Sequence, residues 1–173
     1  KCRQNGLVLS VDNYVPKSFN TQYDRKEQGI VADYVIVMGY DEHFAGGAAG
    51  SVASLSYVEN GIIDTLEEVP KEKLINSVPF YTRVWTEKDG KTTSKAYGMT
   101  AAKKWVDENN VELTWQDNIG QYYGEIENEN GTQKIWMEET KSLGLKKDLV
   151  NKYDLAGIAC WKLGFETADI WAV

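Results

Sequence analysis

The stretch DYVIVMGYDEH, residues 33–43, decides how this chain folds. Residues 34–38 form a continuous run of apolar and β-branched side chains, which is typical of a strand covered on both faces, as in a parallel sheet. The run stops at a glycine and is followed at once by Tyr40 and Asp41, and then by the glycine-rich residues 46–50. A buried strand therefore presents a tyrosine and a carboxylate where the chain leaves the sheet.

Three other segments share this continuous apolar character, the middle one with small polar interruptions: residues 7–11, 74–81 and 155–161. A helix is predicted between the strands at 34–38 and 74–81, because Ser56 to Glu59 has the pattern of a capping box. Apolar residues then recur at helical spacing, at Val58, Ile62, Leu66 and Val69, up to Pro70. Strand, helix and strand in this order indicate a βαβ unit in an α/β core.

Residues 84–153 have a different pattern. Thr100 is predicted to cap a short helix, and a second helix is predicted from Glu139 to about Asn151. Between them, apolar and polar side chains alternate as in antiparallel strands over residues 112–115, 120–127 and 132–137, with a hairpin turn at Asn128–Gly131. We therefore predict core strands in residues 1–83, an inserted α+β subdomain in 84–153 and the last core strand with its closing segment in 154–173.

The composition limits the classes of partner. A formal net charge of -7 repels phosphate backbones and anionic lipid surfaces, so neither nucleic acid nor a membrane is an expected partner. Cys2, Cys160 and His43 give no metal-binding pattern, no cofactor motif is present, and the redox compartment stays open. The 6 Trp and 10 Tyr residues suit either a surface that stacks on sugar rings or ordinary core packing.

All four predicted core strands end in polar or aromatic side chains. In parallel barrels the carboxyl ends of the strands and the loops that follow them bind ligands, so we expect these groups to face one site. They are Asp12-Asn13-Tyr14, Tyr40-Asp41-Glu42, Tyr81-Thr82-Arg83 and Trp161-Lys162.

These strand ends resemble glycoside hydrolase family 18, the chitinase-like fold. Met38 to Asp41 is similar to the family's Met-x-Tyr-Asp at the end of strand six, Pro79 to Arg83 to its Pro-Phe-Tyr-Gly-Arg of strand seven, and residues 157–161 to its strand eight ending in tryptophan. The sequence of residues 161–164 is similar to that of bacterial spore and cell-wall N-acetylglucosaminidases. The resemblance implies strands five to eight of a TIM (β/α)8 barrel, with the small α+β insertion between the last two strands.

The family's acidic signature, Asp-x-x-Asp-x-Asp-x-Glu, has no match in this sequence. In the family it carries the acid that protonates the leaving oxygen, and we expect it upstream of Lys1. The intact protein is then expected to be an enzyme, and this chain alone to be inactive.

The chemistry that the resemblance implies is retaining hydrolysis assisted by the substrate's own acetamide group. Tyr40 would hold the acetamide oxygen, and Asp41 would accept hydrogen bonds from sugar hydroxyls. Trp161 would form the floor beneath the sugar ring. The remaining residues expected to contact substrate are Met38, Tyr81 and Arg83.

Each assignment has a structural alternative. Tyr40 as a rim residue without ligand, Asp41 as a loop cap, Trp161 as a packed side chain and Arg83 as the partner of an acid would all fit the same sequence. The residues after Asp41 have no counterpart in the resemblance. We interpret Glu42 as a solvated loop carboxylate, His43 as facing solvent or a loop carbonyl, and Gly46–Gly50 as a flexible loop at the mouth.

The predicted function is cleavage of β-1,4-linked N-acetylglucosamine polymers, peptidoglycan or chitin, outside the cell or in the cell wall or spore. A catalytically inactive chitinase-like protein that binds glycan is the alternative, and a structural module is a third possibility. Four barrel strands alone leave two unpaired apolar edges, at Leu7–Val11 and Leu155–Trp161, so we expect the chain to self-associate.

Overall fold

Two β-sheets organise the chain, and the structure, a computed structural model, describes all residues from 1 to 173. The first sheet has four strands in the order β1-β2-β3-β9, and every neighbouring pair is parallel. Its strands are β1 (Ser10–Tyr14), β2 (Tyr34–Met38), β3 (Leu74–Pro79) and β9 (Gly157–Trp161). The prediction of a parallel α/β core is confirmed, and β2 has the predicted bounds.

Helices cover one face of this parallel sheet. They are α1 (Arg25–Val31), α2 (Leu55–Leu66) and α4 (Thr140–Lys152). Val35 and Val37 point to that face and are almost fully buried, whereas Ile36 and Met38 point to the opposite face and are half-buried. The period-2 alternation along β2 thus separates a packed face from a face that is open in this chain, which we call the inner face.

The second sheet is antiparallel, in the order β5-β4-β8-β7-β6. Its strands are β4 (Tyr81–Lys88), β5 (Lys91–Gly98), β6 (Leu113–Gln116), β7 (Gln121–Asn128) and β8 (Gly131–Met137). The helix α3 (Met99–Glu108) packs on one face, where its Ala102 and Val106 join the buried Val84, Ile135 and Met137. The three predicted alternating strands and the hairpin turn between Asn128 and Gly131 are confirmed.

The hairpin of β4 and β5 was not predicted. Its two turn residues, Asp89 and Gly90, have φ values of 50° and 72°. Two consecutive residues with positive φ form the turn that suits a tight hairpin, and Asp-Gly is a favoured pair for it. The predicted single strand over residues 74–81 is also wrong, because β3 ends at Pro79 and Tyr81 already belongs to β4. Tyr81 and Arg83 therefore belong to the second sheet.

Several predicted boundaries need correction. The first strand starts at Ser10, and Leu7 and Val8 are exposed outside it, because the chain pairs with its neighbour only from Leu9 onward. The cap of α2 is Ser54, whose hydroxyl accepts from the N–H of Tyr57, so the predicted capping box at Ser56 is wrong.

The start of the first helix between residues 84 and 153 also needs correction, and one helix was missed. The N-cap of α3 is Gly98, and Thr100 lies within the helix, where its hydroxyl donates to the carbonyl of Glu166. The short helix α1 was not predicted.

The last helix, α4, begins as predicted. Its N-cap Glu139 accepts from the N–H of Ser142, and the Ser142 hydroxyl accepts from the N–H of Glu139. Although α4 follows the second sheet in the chain, it packs against α2 and β3. No helix in the chain is both long and apolar enough to cross a membrane.

Candidate functional site

A cavity of about 650 Å³ opens at the carboxyl ends of β1 and β2. In a parallel sheet, residues in register point to the same face, and the register Tyr14↔Met38 and Met38↔Ser77 sets these three side chains side by side on the inner face. Tyr40 continues this face two residues beyond Met38. The cavity is lined by Tyr14, Val15, Lys17, Phe19, Asn20, Tyr40, Asp41, Glu42, His43, Phe44 and Tyr57.

Tyr40 stands at the inner wall of the cavity and is only 8% exposed. Burial raises the pKa of its hydroxyl; the side-chain hydrogen bond with Ser77 opposes this, and the nearby acids Asp12 and Asp41 add to it. The hydroxyl therefore stays protonated at neutral pH and remains a hydrogen-bond donor.

Asp41 has an unusual backbone conformation. Its φ of 60° lies in the left-handed region, which few residues other than glycine adopt. The Tyr81 hydroxyl donates to its Oδ1 at 2.5 Å, and the Tyr81 ring meets the Tyr40 ring edge to face, with centroids 6.1 Å apart. Burial, followed by the hydrogen bond to Asp41, raises the pKa of Tyr81, so this hydroxyl remains the donor. A residue of the second sheet thus fixes the carboxylate of the first.

Tyr57, on the first turn of α2, is a cavity residue that the sequence analysis missed. Its hydroxyl donates to the carbonyl of Tyr40 at 3.4 Å. Burial and the nearby carboxylates of Glu42 and Asp41 raise its pKa to about 12. The Nζ of Lys17 lies 5.1 Å from the centre of the Tyr57 ring, and this contact closes the side of the cavity near β1.

Glu42 and His43 also line the cavity. The carboxylate of Glu42 accepts from the N–H of Ser54 at 2.8 Å. It therefore holds together the two ends of the loop formed by residues 42–54, instead of being a solvated loop group as predicted. Nδ1 of His43 lies 2.9 Å from the carbonyl of Ser51, which matches the predicted contact with a loop carbonyl.

The other predicted site residues lie outside the cavity lining. Met38 is half-buried on the inner face. Trp161 is 55% exposed in β9, where it pairs in register with Pro79. Arg83 lies in β4 and donates to the hydroxyl of Ser94 at 3.1 Å; it forms no ion pair, so the alternative of a structural acid partner is wrong.

The cavity and its surroundings offer carboxylates, phenols and one lysine. No group of three or more His, Cys, Asp or Glu side chains is placed to hold a metal ion. Hydrogen-bonding groups around a concave, partly aromatic wall suit a polyhydroxylated ligand such as a sugar.

Comparison with known proteins identifies the family of this chain. Residues 3–166 match the sequence profile of the family described as Glycosyl hydrolases family 18. The chain belongs to glycoside hydrolase family 18. This membership confirms the resemblance inferred from the strand ends of the sequence.

Relatives of this family 18 chain include the cortical fragment-lytic enzyme of Bacillus subtilis, which is 26% identical over 97% of this chain and 41% of that protein. Among solved structures, the chitinase of Chromobacterium violaceum has a TM-score of 0.88 and 25% identity over 99% of this chain and 55% of that one. The Bacillus cereus spore cortex-lytic enzyme has a TM-score of 0.86 and 25% identity over 96% and 41%. The chain spans about two fifths of the length of the curated relatives it matches.

Proposed function

We propose that this chain forms strands five to eight of a TIM (β/α)8 barrel, with the α+β unit inserted between the last two strands. Four parallel strands in the spatial order β1-β2-β3-β9 support this, because consecutive strands of such a barrel are neighbours. The partial coverage of the longer solved structures, 55% and 41%, agrees with half a barrel.

The proposed division of the chain is residues 1–83, 84–153 and 154–173. The second sheet, which starts at Tyr81 and ends at Met137, supports an insertion that begins near residue 84. In this proposal α4 is the connection that returns the chain to the last barrel strand, which its packing against β3 supports.

For the complete polypeptide that contains these residues, we propose hydrolysis of β-1,4-linked N-acetylglucosamine polymers, peptidoglycan or chitin. The observation that carries this proposal is the placement of Tyr40 and Asp41 together on the cavity, with Asp41 fixed by the Tyr81 hydroxyl. The reaction would be retaining hydrolysis in which the acetamide oxygen of the substrate attacks the anomeric carbon while the glycosidic oxygen leaves with a proton from a protein acid. Water would then open the oxazolinium ion.

Each side chain has a role in this proposal. The protonated hydroxyl of Tyr40 donates to the acetamide oxygen and aims it at the reacting carbon, a positioning effect that a rigid strand end supports. Asp41 accepts hydrogen bonds from the sugar. The exposed indole of Trp161 is the apolar floor under the sugar ring, and the remaining substrate contacts are Met38, Tyr81 and Arg83.

The names of two relatives support a location in the cell wall or spore. One is a cortical fragment-lytic enzyme and one a spore cortex-lytic enzyme. We propose an extracellular, cell-wall or spore location and a glycan partner, and self-association of this chain through its free strand edges.

The test compares two tyrosine variants in the complete polypeptide. Tyr40→Phe removes the hydroxyl at the cavity, and Tyr34→Phe makes the same change at the other end of β2. With an N-acetylglucosamine oligomer as substrate, Tyr40→Phe should lower kcat about 100-fold with little change in KM, because the contact matters most in the transition state. The control variant, Tyr34→Phe, should leave both kcat and KM unchanged.

The 173-residue chain alone should release no product from the same oligomer, because no acid of the family signature is present in it. Equal kcat values for the two variants would show that Tyr40 does not act on the acetamide. A complete polypeptide that binds the oligomer and leaves it intact would favour the alternative, a glycan-binding protein.

A further inference from the structure

The mouth loop, which we define as residues 42–54, lies between β2 and α2, and its first three residues line the cavity. Its second half is buried, with Ser51, Val52 and Ala53 all below 5% exposure. The second sheet and its connections hold it from behind: the indole N–H of Trp85 donates to the carbonyl of Gly50 at 2.9 Å. A buried loop needs such partners, because its backbone groups cannot reach water.

Behind this loop lies a fully buried ion pair. Nζ of Lys146, on α4, is 2.8 Å and 3.0 Å from the two carboxylate oxygens of Glu138, which follows β8. The hydroxyl of Ser142 donates to the same carboxylate at 2.9 Å. Removing either charge would leave the other uncompensated in the interior, so the pair is held as a unit.

The carboxylate sets the direction of the hydrogen bonds that lead from it to the loop. It accepts from Nε2 of Gln121, so the other end of that amide, Oε1, faces the loop and accepts from the hydroxyl of Ser51. With its proton committed to Gln121, the Ser51 oxygen accepts from the N–H of Ala53 at 3.0 Å. Each donor along this path is determined by the charge at its origin.

From Ser51 the contacts reach the cavity. The carbonyl of Ser51 lies 2.9 Å from Nδ1 of His43, and the next carbonyl, of Val52, accepts from the N–H of Glu42 at 2.9 Å. Glu42 and His43 both line the cavity.

We infer that Glu138, Lys146 and Gln121 are positioning residues: the buried ion pair orients the Gln121 amide, which fixes the mouth loop and so places Glu42 and His43 at the cavity. This inference does not depend on the proposed reaction, because it concerns the structure of the loop. It gives the inserted unit a role in shaping the cavity.

Amide hydrogen exchange of the 173-residue chain tests the inference. Gln121→Leu removes the link, and Gln133→Leu is the matched control, since Gln133 lies on the same sheet away from the loop. We expect exchange in residues 42–54 to become about tenfold faster in Gln121→Leu, with β2 and β3 unchanged and the control like wild type. Ser51→Ala, a smaller change on the same path, should give the same local effect and replaces Gln121→Leu if that variant does not fold.

A double variant separates positioning from stability. Glu138→Leu with Lys146→Met replaces the ion pair by apolar groups of similar size, a change that often leaves a fold as stable as before. Because the buried Gln121 amide then lacks its acceptor, the unfolding temperature should fall slightly, and the inference expects exchange of the mouth loop to rise more than that of β2 and β3. It is overturned if the loop exchanges at the wild-type rate in the double variant and in Ser51→Ala, or if exchange rises equally throughout the chain.

Discussion

The two sheets of this chain differ in how far each is complete by itself. Both edges of the parallel sheet, β1 and β9, lack a strand partner, and side chains along it stay exposed, including Tyr14 at 52%, Ile158 at 48% and Trp161 at 55%. The antiparallel sheet also ends in two edge strands, β5 and β6, but tight turns join β4 to β5 and β7 to β8, and Ile135 at its centre has no exposure. The antiparallel sheet buries its centre within this chain, and the parallel sheet leaves its inner face open.

Because of this difference, the antiparallel sheet contributes a buried core and the parallel sheet carries the candidate site. Antiparallel strands pair through short connections and bury a core with α3, whereas parallel strands need long connections and cover on both faces. The candidate site lies on the open sheet, but the stable sheet supplies the side chain that holds Asp41. Four predictions test this comparison.

The largest effect is expected in the core of the antiparallel sheet. Ile135→Ala should lower the free energy of unfolding by about 2–5 kcal/mol, because it leaves a cavity among fully packed neighbours. Ile158→Ala, on the exposed edge strand β9, should cost less than about 1 kcal/mol. Urea denaturation of the two variants measures both values. Equal losses would mean that β9 is covered in solution.

Self-association should depend on the edge of one sheet only. At micromolar concentration we expect sedimentation to report a dimer or larger species. A lysine on an edge strand disfavours pairing, so Ile158→Lys should weaken association about tenfold. Leu113→Lys, on the edge strand β6 of the other sheet, is the control and should have no effect. A stable wild-type monomer would contradict the proposed association.

The hydroxyls of Tyr81 and Tyr123 should contribute differently to the free energy of unfolding. Tyr81→Phe removes a buried hydrogen bond to Asp41 and should lower the free energy of unfolding by about 1 kcal/mol. Tyr123→Phe removes a hydrogen bond to Glu125 on the exposed face of β7, where water can replace it. This change should lower the free energy of unfolding by only about 0.3 kcal/mol. Thermal unfolding of the two variants gives the difference, and equal values would show that Asp41 is more solvated than its geometry indicates.

The smallest effect is expected at the amino ends of the parallel strands. Lys71 lies just before β3 and Asp154 just before β9, with Nζ and Oδ2 2.8 Å apart on an exposed surface. The hydrogen bond from Lys71 lowers the pKa of Asp154, so any stabilisation is present above the unfolded value near pH 3.9 and is lost as the pH falls through the lower folded value. Lys71→Met should therefore leave the urea midpoint at pH 7 within error, and a large drop would contradict this.

The sequence predicted features that depend on neighbouring residues. The apolar run at 34–38 is a strand with one face covered by helices in this chain, and its end at Tyr40 and Asp41 is where the cavity lies. The start of α2 was misplaced because Ser54 and Ser56 are equally good caps in sequence, and only the loop before them decides. The β4–β5 hairpin was missed although its turn residues, Asp89 and Gly90, were a usable signal.

Other features could not be predicted because they depend on distant contacts. Tyr57 lines the cavity only because α2 packs beside the end of β2, which places its hydroxyl on the Tyr40 carbonyl. Lys146 and Glu138 look like surface residues in a sequence, since charges are rarely buried unless paired. Their pairing requires α4 to lie against the end of β8, which no local pattern indicates.

A single residue, Phe80, separates β3 from β4, and it is fastened on both sides. Its N–H donates to the carbonyl of Trp161 at 2.7 Å, and its carbonyl accepts from the N–H of Met99 at 3.1 Å. Both backbone groups of Phe80 are therefore held where the chain passes from one sheet to the other. Tyr81 follows this fixed point directly, so the junction between the two sheets positions the hydroxyl that donates to Asp41.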